Sequence, residues 1–227
     1  MAMNIDSSIT LFDDIKTDSY KKIEESAKVC IVKKGTCLYN EHQQVDDLYI
    51  LLEGTAIAYK KTNDLERRIL FIHRKGEIMN EEILDGQKSS SSTQCITDVR
   101  LLVISCKSFK QAYMHDKVLL NHVMEHMSLR IRRMYHMSKN ATNVLRLDKK
   151  IAARLWKLAK DFGKDTSEGR EIDFPLSITL LSEFVGSTRE SVSRQVKVLQ
   201  DAGYLIMKKK RFIICDMNRI CVYAQSK

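Results

Sequence analysis

No apolar run in this chain approaches the length of a membrane span, so a membrane-embedded protein is not expected. The first residues, Met1-Ala-Met-Asn-Ile-Asp6, lack the charged-then-apolar pattern of a secretory leader. The expected location is the cytoplasm. None of the six cysteines (Cys30, Cys37, Cys95, Cys106, Cys215, Cys221) stands in CxxC spacing to another. In a reducing compartment they read as buried thiols rather than as a disulfide or zinc framework. G-x-S-x-G, P-loop and Rossmann fingerprints are missing. His42, His73, His115 and His136 form no nucleophile–base set. One pattern runs against this: His122-Val-Met-Glu125-His126 matches the H-x-x-E-H of some zinc peptidases. No third ligand lies nearby, and the helical register turns both histidines toward solvent. No metal, no firm cofactor and no enzymatic activity are expected.

What the chain does have is an uneven charge. Its formal net charge is +9 over 227 residues. Residues 1–107 carry 15 basic and 17 acidic groups, 108–146 carry 7 and 2, and 147–227 carry 16 and 10. The basic surplus lies wholly in the second half. A near-neutral first region joined to a basic one suits a sensor coupled to a polyanion binder. Many soluble proteins are basic, so charge alone does not decide.

The stretch 176–199 does more. It reads as two short helices around Gly186, a residue suited to a left-handed C-terminal cap. Ser187 or Thr188 can cap the second helix. Val192, Val196 and Leu199 recur at i, i+4, i+7 and form a core-facing stripe. At about 100° per residue, Glu190, Arg194 and Lys197 project opposite, with Ser193 at the edge and Arg189 in the first turn. A helix-turn-helix lays the start of its second helix in the DNA major groove. There a guanidinium can fork onto guanine and a carboxylate can accept from cytosine. Two plainer readings compete: Ser187 to Glu190 also fits a capping box, and any solvated helix has charges opposite its apolar stripe.

Val185-Gly-Ser-Thr-Arg189-Glu190-Ser-Val192-Ser193-Arg194, preceded by Pro175-Leu176-Ser177, resembles the DNA-reading motif of the catabolite activator and fumarate–nitrate regulator (Crp/Fnr) family. The resemblance implies that Arg189, Glu190, Ser193 and Arg194 read base edges, and that Ser177, Thr179 and Thr188 cap helices or touch phosphates. It also implies a palindromic double-stranded DNA operator. RNA polymerase would be a further partner if the protein activates. Some relatives hold an iron–sulfur cluster through N-terminal cysteines, which are absent here.

Upstream, Val29, Ile31, residues 48–52, Ile57, 69–72 and 101–104 are short β-prone runs. Lys34-Gly35, Glu53-Gly54, Lys75-Gly76 and Asp85-Gly86 punctuate them as turns. This suggests a sandwich or β-roll, preceded by a short helix over 10–27. Its framework resembles the family's cyclic-nucleotide-binding-type β-roll. By that resemblance, Asn80-Glu81 and Ser89-Ser90 match the segment that cradles sugar and phosphate, with Ser138 on the long helix matching a base-contacting serine. Glu81 can bond a ribose hydroxyl. The arginine expected on the phosphate is missing, and adjacent Lys88 cannot replace its fork. A non-cyclic-nucleotide effector is therefore expected, with a cyclic nucleotide, or a sensor that has lost its ligand, as alternatives. Ser89 to Ser92 also reads as a plain solvent loop.

Between the halves, Leu120, Met124, Met127, Ile131, Met134, Ser138, Ala141 and Leu145 step by four and three, a heptad seam. It suits pairing with a second copy, or packing on the chain's own β-roll, with Val123 and Met137 placed for the latter. Residues 147–162 read as a helix, and 163–169 as a polar loop ending it. Residues 204–214 read as a hairpin wing whose tip cations Lys208, Lys209, Lys210 and Arg211 suit phosphates or plain solvation. Relatives commonly have a glycine in this turn, so the wing's shape is in question. The expected fold class is α+β: an effector-sensing β-roll with a short helix (1–107), a dimerisation and relay helix (108–146) and a winged helix-turn-helix (147–227).

Overall fold

A computed structural model describes residues 9–63, 66–142 and 146–226, with the side chains of 63, 66 and 138–142 excepted. The described chain falls into two compact units: 9–60 with 70–141, and 61–63 and 66–69 with 142 and 146–226. Ser138 and Ala141 as side chains, and Leu145 altogether, lie outside the described residues.

The first unit opens with one 3-10 turn, Thr10–Phe12, and then helix α1, Thr17–Ser26. The expected single helix is broken where Asp14 takes a positive φ of 57°, a conformation a continuing helix cannot contain. Seven strands follow: β1 Lys28–Val32, β2 Cys37–Tyr39, β3 Asp47–Glu53, β4 Ala56–Asn63, β5 Glu66–Ile72, β6 Ser92–Cys95 and β7 Val99–Ser105. They form two antiparallel sheets, ordered β1-β7-β3 and β2-β6-β4-β5. The apolar runs read from the sequence lie in β1, β3, β4, β5 and β7. Leu48 and Ile50 of β3 and Leu102 and Ile104 of β7 are buried in one cluster, as alternation on a core-facing strand requires. Gly54 shows why its turn is a glycine. Its φ is +88°, and a Cβ there would sit 2.3 Å from the Asp98 carbonyl oxygen.

The region 108–146, expected as one long helix, is not one helix. Helix α2, Cys106–His115, ends at Asp116, and α3 runs Lys117–Thr142. Asp116 is 1% exposed. Its carboxylate accepts from the N–H groups of Val118 (3.0 Å) and Leu119 (3.3 Å), capping α3. It also accepts from the Lys16 N–H at 2.7 Å, which pins the start of α1. Burial works against the charge, but these bonds and one from Ser19 outweigh it and hold the carboxyl below the usual range. Leu119 and Val123 of α3 pack into the β-roll core, and Met127 packs against it.

The second unit contains α4 (Leu147–Phe162), β8 (Gly163–Thr166), β9 (Gly169–Ile172), α5 (Ile178–Val185), α6 (Arg189–Asp201), β10 (Leu205–Lys208), β11 (Arg211–Ile214) and α7 (Met217–Gln225). The sheet order is β10-β11-β9-β8. The polar loop expected at 163–169 is instead a tight hairpin, Gly163↔Ile172 through Thr166↔Gly169. Its pairing with β11 supplies the order that its own residues do not signal. Ile151, Leu155, Leu181, Val192, Leu199 and Phe212 are buried in this unit.

Candidate functional site

Helix α5 begins at Ser177, whose hydroxyl accepts from the Leu180 N–H at 3.0 Å. It ends at Gly186, φ +67°, ψ 54°, the left-handed cap its sequence called for. Thr188 caps α6 by accepting from the Ser191 N–H at 3.2 Å. The capping-box alternative falls away, because Glu190 makes no hydrogen bond or ion pair among the described residues. Val192, Val196 and Leu199 are buried, while Arg189, Glu190, Ser193, Arg194 and Lys197 are all exposed. Arg194 makes one long contact, 3.5 Å to the Ser191 hydroxyl. The first two turns of α6 therefore present two guanidiniums, a carboxylate and a hydroxyl without internal partners that fix them. Thr179 is exposed in the first turn of α5.

The wing forms without its glycine. β10 and β11 pair from Leu205↔Ile214 to Lys208↔Arg211. Lys209 takes the positive φ of 59° that a two-residue hairpin demands. The four cations differ. Lys208 contacts both carboxylate oxygens of Glu168 at 2.6 Å, and Arg211 is paired with Glu171. Only Lys209 and Lys210 of this set are exposed and make no ion pair among the described residues.

The second site lies in the first unit. A cavity of 460 Å³ has a mostly apolar wall: Leu70, Phe71 and Met79 from the β-roll, and Met127, Ile131, Met134 and Met137 from α3. Its polar lining is Lys60, Glu81, Glu82, Ser90, Ser91 and Arg130. Glu81 and Ser90, two of the expected pocket residues, line this cavity. Asn80 and Ser89 are not on the wall. The Asn80 side chain is buried, accepts from the Tyr49 N–H at 3.0 Å and donates to the Asp47 carbonyl at 2.9 Å. Ser89 is fully buried and donates to the Ser91 carbonyl at 2.7 Å. Nor is 89–92 a solvent loop, since Ser91 and Ser92 are buried as well.

Arg130 is the residue that sequence reasoning missed. It is 8% exposed. Its Nε donates to Glu81 Oε1 at 2.6 Å, and its Nη2 to Glu81 Oε2 at 3.2 Å and the Ile78 carbonyl at 2.9 Å. The guanidinium lies 4.1 Å from the centre of the Phe71 ring. Nη1 has no partner among the described residues. Burial opposes the charge, but Glu81 outweighs it and lifts the Arg130 pKa. Glu81 is therefore held by an arginine, rather than free for a sugar hydroxyl.

Glu82 has a different environment. Its carboxylate accepts from the Ser90 hydroxyl at 3.3 Å, with Ser89 Oγ at 3.4 Å, and no cation pairs with it among the described residues. Burial, and next the charge of Glu81, push its pKa up. A cyclic phosphate seated on Ser90 would face this carboxylate, and the arginine on the cavity wall, Arg130, is already forked onto Glu81.

The histidines of the zinc-like pattern are turned into the β-roll rather than toward solvent. His122 Nδ1 lies 3.0 Å from the Leu11 carbonyl oxygen, and His126 Nδ1 lies 3.9 Å from Glu81. Among the described residues no group of three His, Cys, Asp or Glu side chains is placed to hold a metal ion. None of the described helices is long and apolar enough to cross a membrane.

A β-roll followed by a winged helix-turn-helix defines a class of DNA-binding protein. A cyclic nucleotide-binding domain model matches residues 30–116, and a Crp-like helix-turn-helix domain model matches 149–223. The chain is 25% identical over 218 residues to the anaerobic regulatory protein of Bacillus subtilis, covering 91% of this chain and 90% of that one. It is 22% identical over 218 residues to the global nitrogen regulator of Synechococcus elongatus, covering 94% and 95%. Among solved structures, a CRP/FNR-family transcriptional regulator from Thermus thermophilus superposes with a TM-score of 0.71 at 23% identity, covering 88% and 99%. The chain belongs to the Crp/Fnr family and is a DNA-binding transcription regulator.

Proposed function

We propose that the protein binds a palindromic operator as a homodimer, gated by a small-molecule effector that is not a cyclic nucleotide. In this reading 1–107 senses, 108–146 dimerises and relays, and 147–227 reads DNA. The observation that carries it is the exposed set Arg189, Glu190, Ser193 and Arg194, which makes no ion pair among the described residues, on a helix whose Val192, Val196 and Leu199 face is buried. Base edges in the major groove are what such a set can satisfy. Lys209 and Lys210, free at the wing tip, suit phosphates, with Ser177, Thr179, Thr188 and Lys197 as further backbone contacts. Lys208 and Arg211 contribute less, because each already has a carboxylate.

Dimerisation is supported by α3. Leu120, Met124, Ile131 and Met134 remain 38%, 60%, 51% and 58% exposed, an apolar seam on a helix that otherwise packs on its β-roll. A second copy of the same helix is the occupant a heptad seam suits. Met127, Ile131 and Met134 belong both to the seam and to the cavity wall, so an occupied cavity would bear directly on the dimer face. Methionine repacks easily, and such a wall can yield. RNA polymerase would be a further partner if the protein activates.

Selection of bound duplexes from random DNA by the full chain tests the reading. Recovered sites should contain inverted half-sites about 34–36 Å apart, one helical turn. Recovery of single, unrepeated half-sites would overturn the dimer, and recovery of no shared sequence would overturn base reading.

A further inference from the structure

The charges around the cavity do not balance, and the remainder has one sign. Lys60 pairs with Glu41 at 2.9 Å, Arg130 with Glu81 at 2.6 Å, and Arg133 with Glu77 at 2.6 Å. Each of these cations has its own carboxylate. Glu82 lines the same cavity and has only hydroxyl and backbone donors. An ionised carboxylate beside an apolar wall of Phe71, Met79, Met134 and their neighbours is costly unless a donor or a cation meets it.

We propose that the cavity takes an amphipathic cation, a primary amine on an apolar body of aromatic size, with its ammonium group on Glu82. The proposal rests on the cavity being the effector site of the regulator described above. The wall would bury the body, and its volume of 460 Å³ lies in the range of about 300–1,000 Å³ common for small-molecule sites. The ammonium would replace water as the partner of Glu82, in a charge-assisted bond stronger than the serine hydroxyls give. Burial and the neighbouring Glu81 raise the Glu82 pKa, and a bound ammonium would draw it back down. An anionic ligand would meet the opposite field: a lone carboxylate, and two cations each already paired with a carboxylate, with Arg130 Nη1 alone left over among the described residues.

Isosteric probes separate the signs. Tryptamine and indole-3-acetate share an indole and one methylene but end in an ammonium and a carboxylate. Calorimetric titration of the full-length protein should show tryptamine binding about tenfold or more tightly than indole-3-acetate, and cyclic AMP not binding. Glu82→Gln should remove that preference while its unfolding midpoint shows an intact fold. The wild-type comparison stands alone should that variant fail to fold. Tryptamine binding no tighter than indole-3-acetate, including no binding of either, overturns the proposal. So does binding of cyclic AMP, or an undiminished preference in folded Glu82→Gln. Failure of the same protein to select any DNA sequence would count against the regulator reading and leave the amine result standing.

Discussion

Arg194 and Arg130 are both arginines on helices, and they live opposite lives. Arg194 is exposed on α6 with one long contact to a neighbouring hydroxyl. Arg130 is buried on α3, forked onto Glu81 and stacked over Phe71. An unpaired surface guanidinium is inexpensive to keep, because water solvates it until a partner arrives. A buried one persists only where its carboxylate is fixed. The proposed DNA-reading surface is thus held ready by the side chains it leaves free, and the proposed sensor by those it ties together.

Removal of each arginine should separate these roles. Arg130→Ala leaves Glu81 buried without its cation, and should cost about 3–5 kcal/mol of stability in the first unit, measured by denaturant unfolding. A loss well under 1 kcal/mol would mean that the pair is dispensable. Arg194→Ala or Arg189→Ala should leave stability within about 0.5 kcal/mol. Each should weaken operator binding by about 1–3 kcal/mol and relax preference at one position per half-site. Uniform weakening across sequences would place them on phosphates.

Asp116 gives a smaller effect on the sensor side. Asp116→Ala should cost about 0.5–2 kcal/mol through the lost cap of α3. Because the carboxyl sits below its ordinary range when folded, its share of stability is present above the unfolded pKa of about 4 and lost as pH falls through the lowered folded value. The variant should lack that acid-dependent share, and parallel pH profiles for both proteins would refute it. The smallest effects belong to the wing. Lys209→Ala or Lys210→Ala should each reduce the salt slope of DNA binding by about one. Lys208→Ala and Arg211→Ala should change it less, since both are already paired. Equal changes at all four would remove the distinction.

The same contrast explains what could be read before the structure. The helix-turn-helix is a local object: caps, a glycine stop and a buried stripe all lie within 177–199, and the proposed base-reading residues are those left outside. The strand runs and glycine turns of the β-roll were legible for a similar reason. Arg130 was not, because a buried arginine and a solvated one look alike in a charge pattern. The clue was its position: Val123, Met127, Arg130, Met134 and Met137 follow one another by four and three, which puts it on an apolar face. Asn80 misled in the opposite way. It occupies a motif position, but the backbone of β3 takes up its amide. The β8–β9 hairpin depends on a partner distant in sequence, β11, so no window around it carries the signal, whereas the break at Asp116 has a local one, an aspartate that caps α3 through Val118 and Leu119.

Equilibrium titration of the selected operator against a scrambled duplex of equal length, at one fixed salt concentration, tests the central claim that the start of α6 lies among base edges. With the effector state held the same for both, the operator should bind about a thousandfold or more tightly. Equal affinity for the two duplexes would contradict the account.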